Sequence, residues 1–92
     1  MIGKYRKRPI VIEAAQYSGT PDSALELIEW SGGIVAEGNQ AGCLSIFTQE
    51  GMMTVSPGDW VIRGIAGEFY PCKPDIFSGT YYEVTSLSAP AR

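Results

Sequence analysis

The residues with the most chemical potential lie between positions 59 and 75, where charged groups alternate with aromatic rings. Arg63 and Lys73 supply cations that suit an anionic group, because charged donors make strong hydrogen bonds to phosphate or carboxylate oxygens. Trp60 and Tyr70 supply rings on which a base or a cation can stack. The block therefore predicts a pocket for a small anionic ligand. The predicted ligand-binding residues are Trp60, Arg63, Glu68, Tyr70, Lys73 and Asp75.

A structural role competes with the binding role at these positions. Arg63 and Glu68 flank a four-residue turn, residues 64–67, so they can face each other across a hairpin as an ion pair. Asp59 can anchor the tight turn that precedes it, and Asp75 can cap a short helix. Each residue taken singly favours the structural role, whereas the crowding of cations and rings in one block favours the pocket.

The sequence offers few routes to catalysis. It contains no histidine, which removes the usual acid or base near neutral pH. Lys73 can lower the pKa of the neighbouring Cys72 thiol, but without a base to activate it a packed thiol is the favoured interpretation. The spacing of the carboxylates fixes no hydrolytic pair. We expect no catalytic residue; an enzymatic alternative would rest on Cys72, Lys73 or the carboxylates.

Metal and phosphate-loop motifs are also missing. Cys43 and Cys72 are far apart and form no CxxC pair, so a zinc site has too few ligands. Residues 64–67 join two strands and lack the helix N-terminus that holds phosphate, which favours a plain turn. We expect no metal, no cofactor and two reduced thiols, with a disulfide between them left open as the alternative.

Length and charge narrow the class of protein. The 92 residues suit one small domain, residues 1–84, with a small-residue tail at 85–92 that we expect to be flexible. Residues 1–8 hold four basic residues and no acid, whereas residues 9–92 carry a net charge of −7. A sequence pI of about 4.7 disfavours general nucleic-acid binding. No apolar run resembles a membrane span or a secretory signal, so we expect a cytoplasmic protein with no membrane partner.

Turn residues and hydrophobic periodicity predict one helix among short strands. Thr20 suits an N-cap, Pro21 suits the first helical position, and Gly32 and Gly33 end a helix of about ten residues. Hairpin-length turns join most other segments, which indicates a mainly antiparallel sheet. The expected class is α+β: a curled sheet, open or barrel-like, of about six or seven short strands, with one packed helix and a short C-terminal helical turn. The predicted strands are residues 9–17, 34–37, 43–48, 52–55, 60–63, 68–71 and 80–84, and the helical turn is residues 75–79.

Two stretches resemble a known family. Residues 57–77, PGDWVIRGIAGEFYPCKPDIF, followed by Thr80 and Tyr81, are similar to small proteins encoded by bacteriophages and prophages. Residues 5–14, YRKRPIVIEA, resemble the start of those proteins, and the two stretches cover about a third of the chain. One departure is the extra Tyr82 before the acidic residue that follows. The resemblance implies an accessory protein of the phage-infected bacterial cytoplasm and carries over no catalytic residue.

Two functions from different classes follow. The first is a non-catalytic counter-defence protein that sequesters a nucleotide immune signal such as a cyclic nucleotide, with Arg63 and Lys73 on phosphate and Trp60 or Tyr70 on the base. A protomer this small has little room for a deep cavity, so we expect a homo-oligomer with the site at its interface. The alternative is a structural or protein-interaction module, either a minor virion component or an inhibitor docking on a host protein. Its contact surfaces would be a sheet edge and the basic N-terminal residues.

Overall fold

Two helices and six strands make up the computed structural model, which describes residues 1–6 and 8–84. In chain order they are β1 (Glu13–Gln16), α1 (Pro21–Trp30), β2 (Val35–Glu37), β3 (Leu44–Thr48), β4 (Gly51–Val55), β5 (Trp60–Arg63), β6 (Phe69–Cys72) and α2 (Pro74–Thr80). The predicted α+β class is confirmed. Residues 85–92, the expected tail, lie outside the described part of the chain.

All strand pairs are antiparallel, and they form two separate three-stranded sheets. Sheet 1 has the order β1-β5-β6, and sheet 2 has the order β2-β3-β4. The sheets do not close on each other, so the barrel-like form of the prediction is wrong. Closure would need every edge strand to find a partner, and these short strands leave four edges unpaired within the described residues.

The helix α1 confirms the local signals in its sequence. The Thr20 hydroxyl accepts a hydrogen bond from the Ser23 N–H at 3.1 Å, and Pro21 occupies the first turn. Gly33 adopts a φ of 91° just beyond the helix, a conformation that a side chain disfavours. Leu27 is fully buried and anchors α1 on the core. A helix of ten residues is marginal alone in water, so this packing carries much of its stability.

One hydrophobic core joins the helix and both sheets. In sheet 2 the alternation of side chains turns Val35, Leu44, Ile46 and Val55 inward, as expected for strands with one buried face. Sheet 1 contributes side chains from its central and C-terminal strands. The buried residues of the core are Tyr17, Leu27, Val35, Leu44, Ile46, Val55, Val61 and Phe69.

The first strand is shorter than predicted. It begins at Glu13 rather than residue 9, because Glu13 pairs with Arg63, the last residue of β5. Beyond that point the chain of the partner strand turns away, so residues 9–12 have no ladder to join. Ile10 and Val11 are consequently exposed, although the alternation of this segment predicted Ile10 on the core side. Strand propensity without a partner does not make a strand.

The C-terminal part departs most from expectation. The predicted final strand at residues 80–84 is wrong: Thr80 ends α2, and residues 81–84 form neither helix nor strand. Pro74 starts the helix, which runs for two turns rather than one. The Phe77 ring then stacks on Trp60 at a centroid distance of 4.0 Å and lies 5.0 Å from the Tyr81 ring. Aromatic packing therefore overrides the β propensity of this segment.

No helix among the described residues has the length and apolarity to cross a membrane.

Candidate functional site

The two cations of the predicted pocket lie at opposite ends of the β5–β6 hairpin. The ladder pairs Arg63 with Phe69 and Trp60 with Cys72, so Lys73 lies just beyond the far end. At about 3.3 Å per residue, a separation of four positions corresponds to about 13 Å. The two cations therefore start from backbone positions at opposite ends of the hairpin and not from adjacent ones.

Both cations also have carboxylate partners. The Lys73 Nζ donates to the two Asp59 carboxylate oxygens at 3.0 and 3.3 Å, and Asp59 is almost completely buried. The same carboxylate accepts the Ser56 N–H at 2.9 Å, which confirms that Asp59 anchors the tight turn before β5. Arg63 pairs with Glu13 at 3.3 Å on an exposed surface.

The expected ion pair between Arg63 and Glu68 is wrong. The hairpin register places Phe69, not Glu68, opposite Arg63. The Glu68 carboxylate instead accepts the Ala66 N–H at 3.0 Å and closes the turn from within. The carboxylate lies so close to Gly64 that a Cβ at that position would force the Glu68 side chain to shift.

Asp75 does not cap α2, so the capping role suggested by the sequence is wrong. The N-cap position belongs to Lys73, whose side chain makes no capping bond, and Asp75 lies in the first helical turn. A carboxylate there still interacts favourably with the positive end of the helix. Its side chain is exposed and lies on a different element from Arg63.

The predicted stacking rings share one face of sheet 1. Trp60 and Tyr70 alternate with Val61 and Phe69, which point into the core, so both rings lie on the opposite face, under α2. The Trp60 ring is stacked on Phe77 with an angle of 7° between the planes. One side of the indole is therefore already occupied.

Burial and neighbouring acids tune the two titratable groups on this face. Burial, followed by a hydrogen bond to the Tyr81 hydroxyl, raises the pKa of Tyr70 to about 12. Burial also raises the pKa of Cys72, and the charges of Asp75 and Asp59 raise it further. The Cys72 pKa is therefore raised rather than lowered, which agrees with the favoured packed thiol, and the Lys73 ammonium is paired with Asp59.

The six predicted residues thus do not share one hollow. Arg63 lies on the core-side face of β5, with its guanidinium 6.0 Å from the centroid of the Phe69 ring. It borders a hollow of about 310 Å³ that includes Glu13 and Ile65 but neither Trp60 nor Tyr70. Ligand binding by these residues stays a prediction, and the geometry gives it no common pocket.

A different surface stands out on the outer face of sheet 2. Phe47 and Met52 pair directly across β3 and β4, and their side chains are 54% and 53% exposed. Ile34 lies beside Phe47, whose N–H bonds to the Ile34 carbonyl at 3.2 Å. These three residues form a continuous exposed strip across three chain segments, here called the apolar row. Scattered exposed apolar residues are ordinary, but a contiguous group usually marks a contact site.

A polar hollow adjoins the apolar row. It has a volume of about 220 Å³ and shares Met52 with the row. The loop after β2 folds over this face, and Gly38 approaches the Ser45 hydroxyl so closely that a side chain there would crowd it. Hydroxyl and amide groups surround the hollow and can bind a polar side chain of a partner. Its lining residues are Gly38, Asn39, Gln40, Cys43, Leu44, Ser45, Met52 and Thr54.

The sequence around the apolar row carries charges of one sign. Residues 9–62 contain seven acidic residues and neither lysine nor arginine. Exposed carboxylates on α1 include Asp22, Glu26 and Glu29, and Glu50 lies in the turn between β3 and β4. The half of the molecule built from α1 and sheet 2 is therefore anionic. Such a surface repels phosphate and attracts basic partners.

Sequence reasoning overlooked the apolar row, although one signal was present. The inward alternation of Leu44 and Ile46 places Phe47 on the solvent side of β3, where an aromatic residue is costly unless something covers it. Met52 lies on the same outer face, directly opposite Phe47.

Within residues 1–6 and 8–84, no cluster of three or more His, Cys, Asp and Glu side chains is arranged to hold a metal ion. In comparisons with known proteins, no protein-family model, no curated protein and no solved structure matches this chain.

Proposed function

We propose that this chain is a small non-catalytic binding protein that docks on a partner protein through the outer face of sheet 2. The apolar row of Ile34, Phe47 and Met52 is the observation that supports this function. Aromatic and methionine side chains are enriched in the buried centres of protein interfaces, where they supply most of the binding free energy. The adjoining polar hollow adds hydrogen-bonding groups at the rim of the same surface.

The charge of this half of the molecule favours one kind of partner. An anionic surface around an apolar centre is complementary to a protein surface with apolar side chains inside a basic rim. Complementary charge accelerates association and excludes acidic competitors, whereas the apolar row supplies the lasting contact. The partner in this proposal is therefore a basic protein and not an anionic small molecule or nucleic acid.

The biological setting of the proposal comes from the resemblance to phage and prophage proteins. An accessory protein of that origin would act in an infected bacterial cell, as an inhibitor of a host protein or as a minor virion component. Both roles need a specific contact surface and no catalytic residue.

Sequestration of a nucleotide signal remains the second candidate from the sequence. Its supporting observation is Lys73, whose side chain is 63% exposed beside the segment that carries the aromatic stack. The salt bridge to Asp59 and the distance from Arg63 weigh against it, since phosphate would have to compete with a carboxylate already in place.

The decisive experiment compares two alanine variants of the full chain. The wild type, Phe47→Ala and Ile65→Ala are immobilised and exposed to lysate of a bacterial host. Ile65 is the matched control because it is an exposed apolar residue in the turn of sheet 1, away from the apolar row. A protein retained by the wild type is then purified, and its affinity for all three chains is measured by calorimetry.

The proposal predicts that Phe47→Ala weakens binding of that partner by about thirtyfold, the usual effect of removing an aromatic hot spot. Ile65→Ala should bind like the wild type, and raising the salt concentration should slow association. Equal affinity of Phe47→Ala and wild type would contradict the proposed surface. Heat on titration with cyclic dinucleotides, lost in Lys73→Met, would favour the nucleotide candidate instead.

A further inference from the structure

The four sheet edges in the described chain differ in how well they are protected. On β6, Pro71 removes a backbone donor, and β2 is only three residues long. On β1, the charge of Glu13 disfavours pairing with a further strand. In contrast, β4 has five residues without charge or proline, and its first four are exposed. Unprotected edges of this kind are templates for an added strand.

Met53 shows that this edge is also incomplete on its core side. It shares the inner face of β4 with Val55, which is fully buried, yet its own side chain is 43% exposed. A further strand beside β4 would cover Met53 and extend the hydrophobic core by one position. The backbone groups of β4 that point away from β3 would gain hydrogen bonds at the same time.

The N-terminal residues have the properties of such a strand. The described residues before β1, 1–6 and 8–12, form neither helix nor strand, and residues 1–6 are all exposed. Ile2 and Tyr5 are apolar side chains in the open, and the segment 1–8 contains four basic residues. We call residues 1–8 the basic arm. Its charge is complementary to the anionic half of the molecule that contains β4.

We propose that the basic arm of one copy adds to β4 of a second copy as a fourth strand of sheet 2, and that the exchange is reciprocal. The arm leaves the molecule at β1, whereas β6 is the strand of sheet 1 that contacts β4. Within its own chain the arm does not pair with β4, because residues 1–6 and 8 are exposed and β3 is the strand that pairs with β4 among the described residues. Reciprocal exchange between two copies closes a two-fold dimer.

Length and charge fit this arrangement. Residues 2–8 span up to about 23 Å when extended, and the five residues of β4 span about 17 Å. Pro9 then ends the added strand because it cannot donate to a ladder. Direct pairing of β4 with β4 of another copy is less favourable, since it would bring two anionic halves together.

The test uses two full-length variants and their mixture, followed by sedimentation velocity over a range of concentrations. Met53→Lys places a positive charge on the β4 edge, which repels the basic arm of a second copy. The basic arm of the variant chain itself is unchanged. The double variant Arg6→Glu/Arg8→Glu disables the arm and leaves the edge intact. Leu25→Lys is the matched control, because it makes the same change at a similarly exposed residue on α1.

We expect the wild type and Leu25→Lys to dimerise, with a weaker dimer at high salt. Met53→Lys and Arg6→Glu/Arg8→Glu, the two blocked variants, should each dimerise at least tenfold more weakly than the wild type. Mixing the two blocked variants should restore a heterodimer, since one supplies an arm and the other an edge. A wild type that stays monomeric overturns the proposal, as does dimerisation of the arm variant alone at wild-type strength. Equal weakening by Leu25→Lys would overturn the assignment to β4. The proposed partner surface is tested separately by Phe47→Ala and does not enter this result.

Discussion

At the scale of single residues, charged side chains near sheet 1 are engaged in holding the chain together. Asp59 illustrates this: one buried carboxylate accepts the Ser56 N–H and binds the Lys73 ammonium, so it fixes a turn and the start of α2 simultaneously. A buried carboxylate without such partners would be costly, which explains why the lysine is not free to serve a ligand.

The surroundings of Cys72 make its thiol less reactive than an ordinary thiol. In a Cys43→Ser background, the rate of alkylation by iodoacetamide should rise with pH with a midpoint above that of an ordinary thiol. Burial disfavours the thiolate, and so does the nearby Asp75 carboxylate. Asp75→Asn should move the midpoint to lower pH. A midpoint at or below the ordinary thiol value would contradict the packed thiol and favour the alternative of an activated cysteine.

At the scale of elements, turns and edges control what the strands can do. The turn between β5 and β6 is closed by its own Glu68 side chain and by a Gly64 N–H bond to the Glu68 carbonyl at 2.7 Å. That internal closure is why Arg63 pairs with β1 rather than with the other side of its hairpin. By contrast, no strand among the described residues pairs with the edge of β4 that faces away from β3.

A double-mutant cycle on this turn tests the closure. Gly64→Ala should lower the free energy of unfolding by about 1 kcal/mol, because the new methyl displaces the Glu68 carboxylate and breaks its bond to the Ala66 N–H. In a Glu68→Ala background the same change should cost much less, since no carboxylate is left to displace. Urea denaturation of the four chains gives the coupling. Additive effects would show that the contact does not limit the turn.

At the scale of the whole molecule, two small sheets depend on one shared core. The Phe69 ring of sheet 1 packs against Trp30 at the end of α1, with a centroid distance of 5.2 Å and an angle of 86°. Leu27 of the same helix and Ile46 of sheet 2 belong to the same buried cluster. Because the buried residues of both sheets and of α1 belong to one cluster, we expect the two sheets to unfold together.

Ile46 provides the test of this cooperativity. Ile46→Ala should lower the free energy of unfolding by about 2–5 kcal/mol, because it leaves a cavity at a fully buried site. Tryptophan fluorescence, which monitors Trp30 on α1 and Trp60 on β5, and far-UV circular dichroism should report one coincident transition. If the alanine variant does not fold, Ile46→Val should give the same coincidence at a cost of about 1 kcal/mol. Two separated transitions would mean that the sheets fold independently.

Local signals predicted much of the architecture correctly. Helix α1 was predicted with its cap and its end, because Thr20, Pro21 and the glycines act through bonds within a few residues. Strand β5 was predicted with the bounds found, and the α+β class followed from the short turns between strands. Alternation along β3 also placed Leu44 and Ile46 inward without knowledge of their partners.

Features that depend on partners distant in the chain were decided by three-dimensional packing. Residues 9–12 lack a strand to pair with, residues 81–84 follow α2 without forming the predicted strand, and Arg63 pairs with Glu13 fifty positions away. The same applies to the predicted pocket. The cations and rings of the predicted pocket lie close together in the sequence. The register of the hairpin and the alternation of side chains separate them in space, because neighbouring residues of a strand face opposite sides.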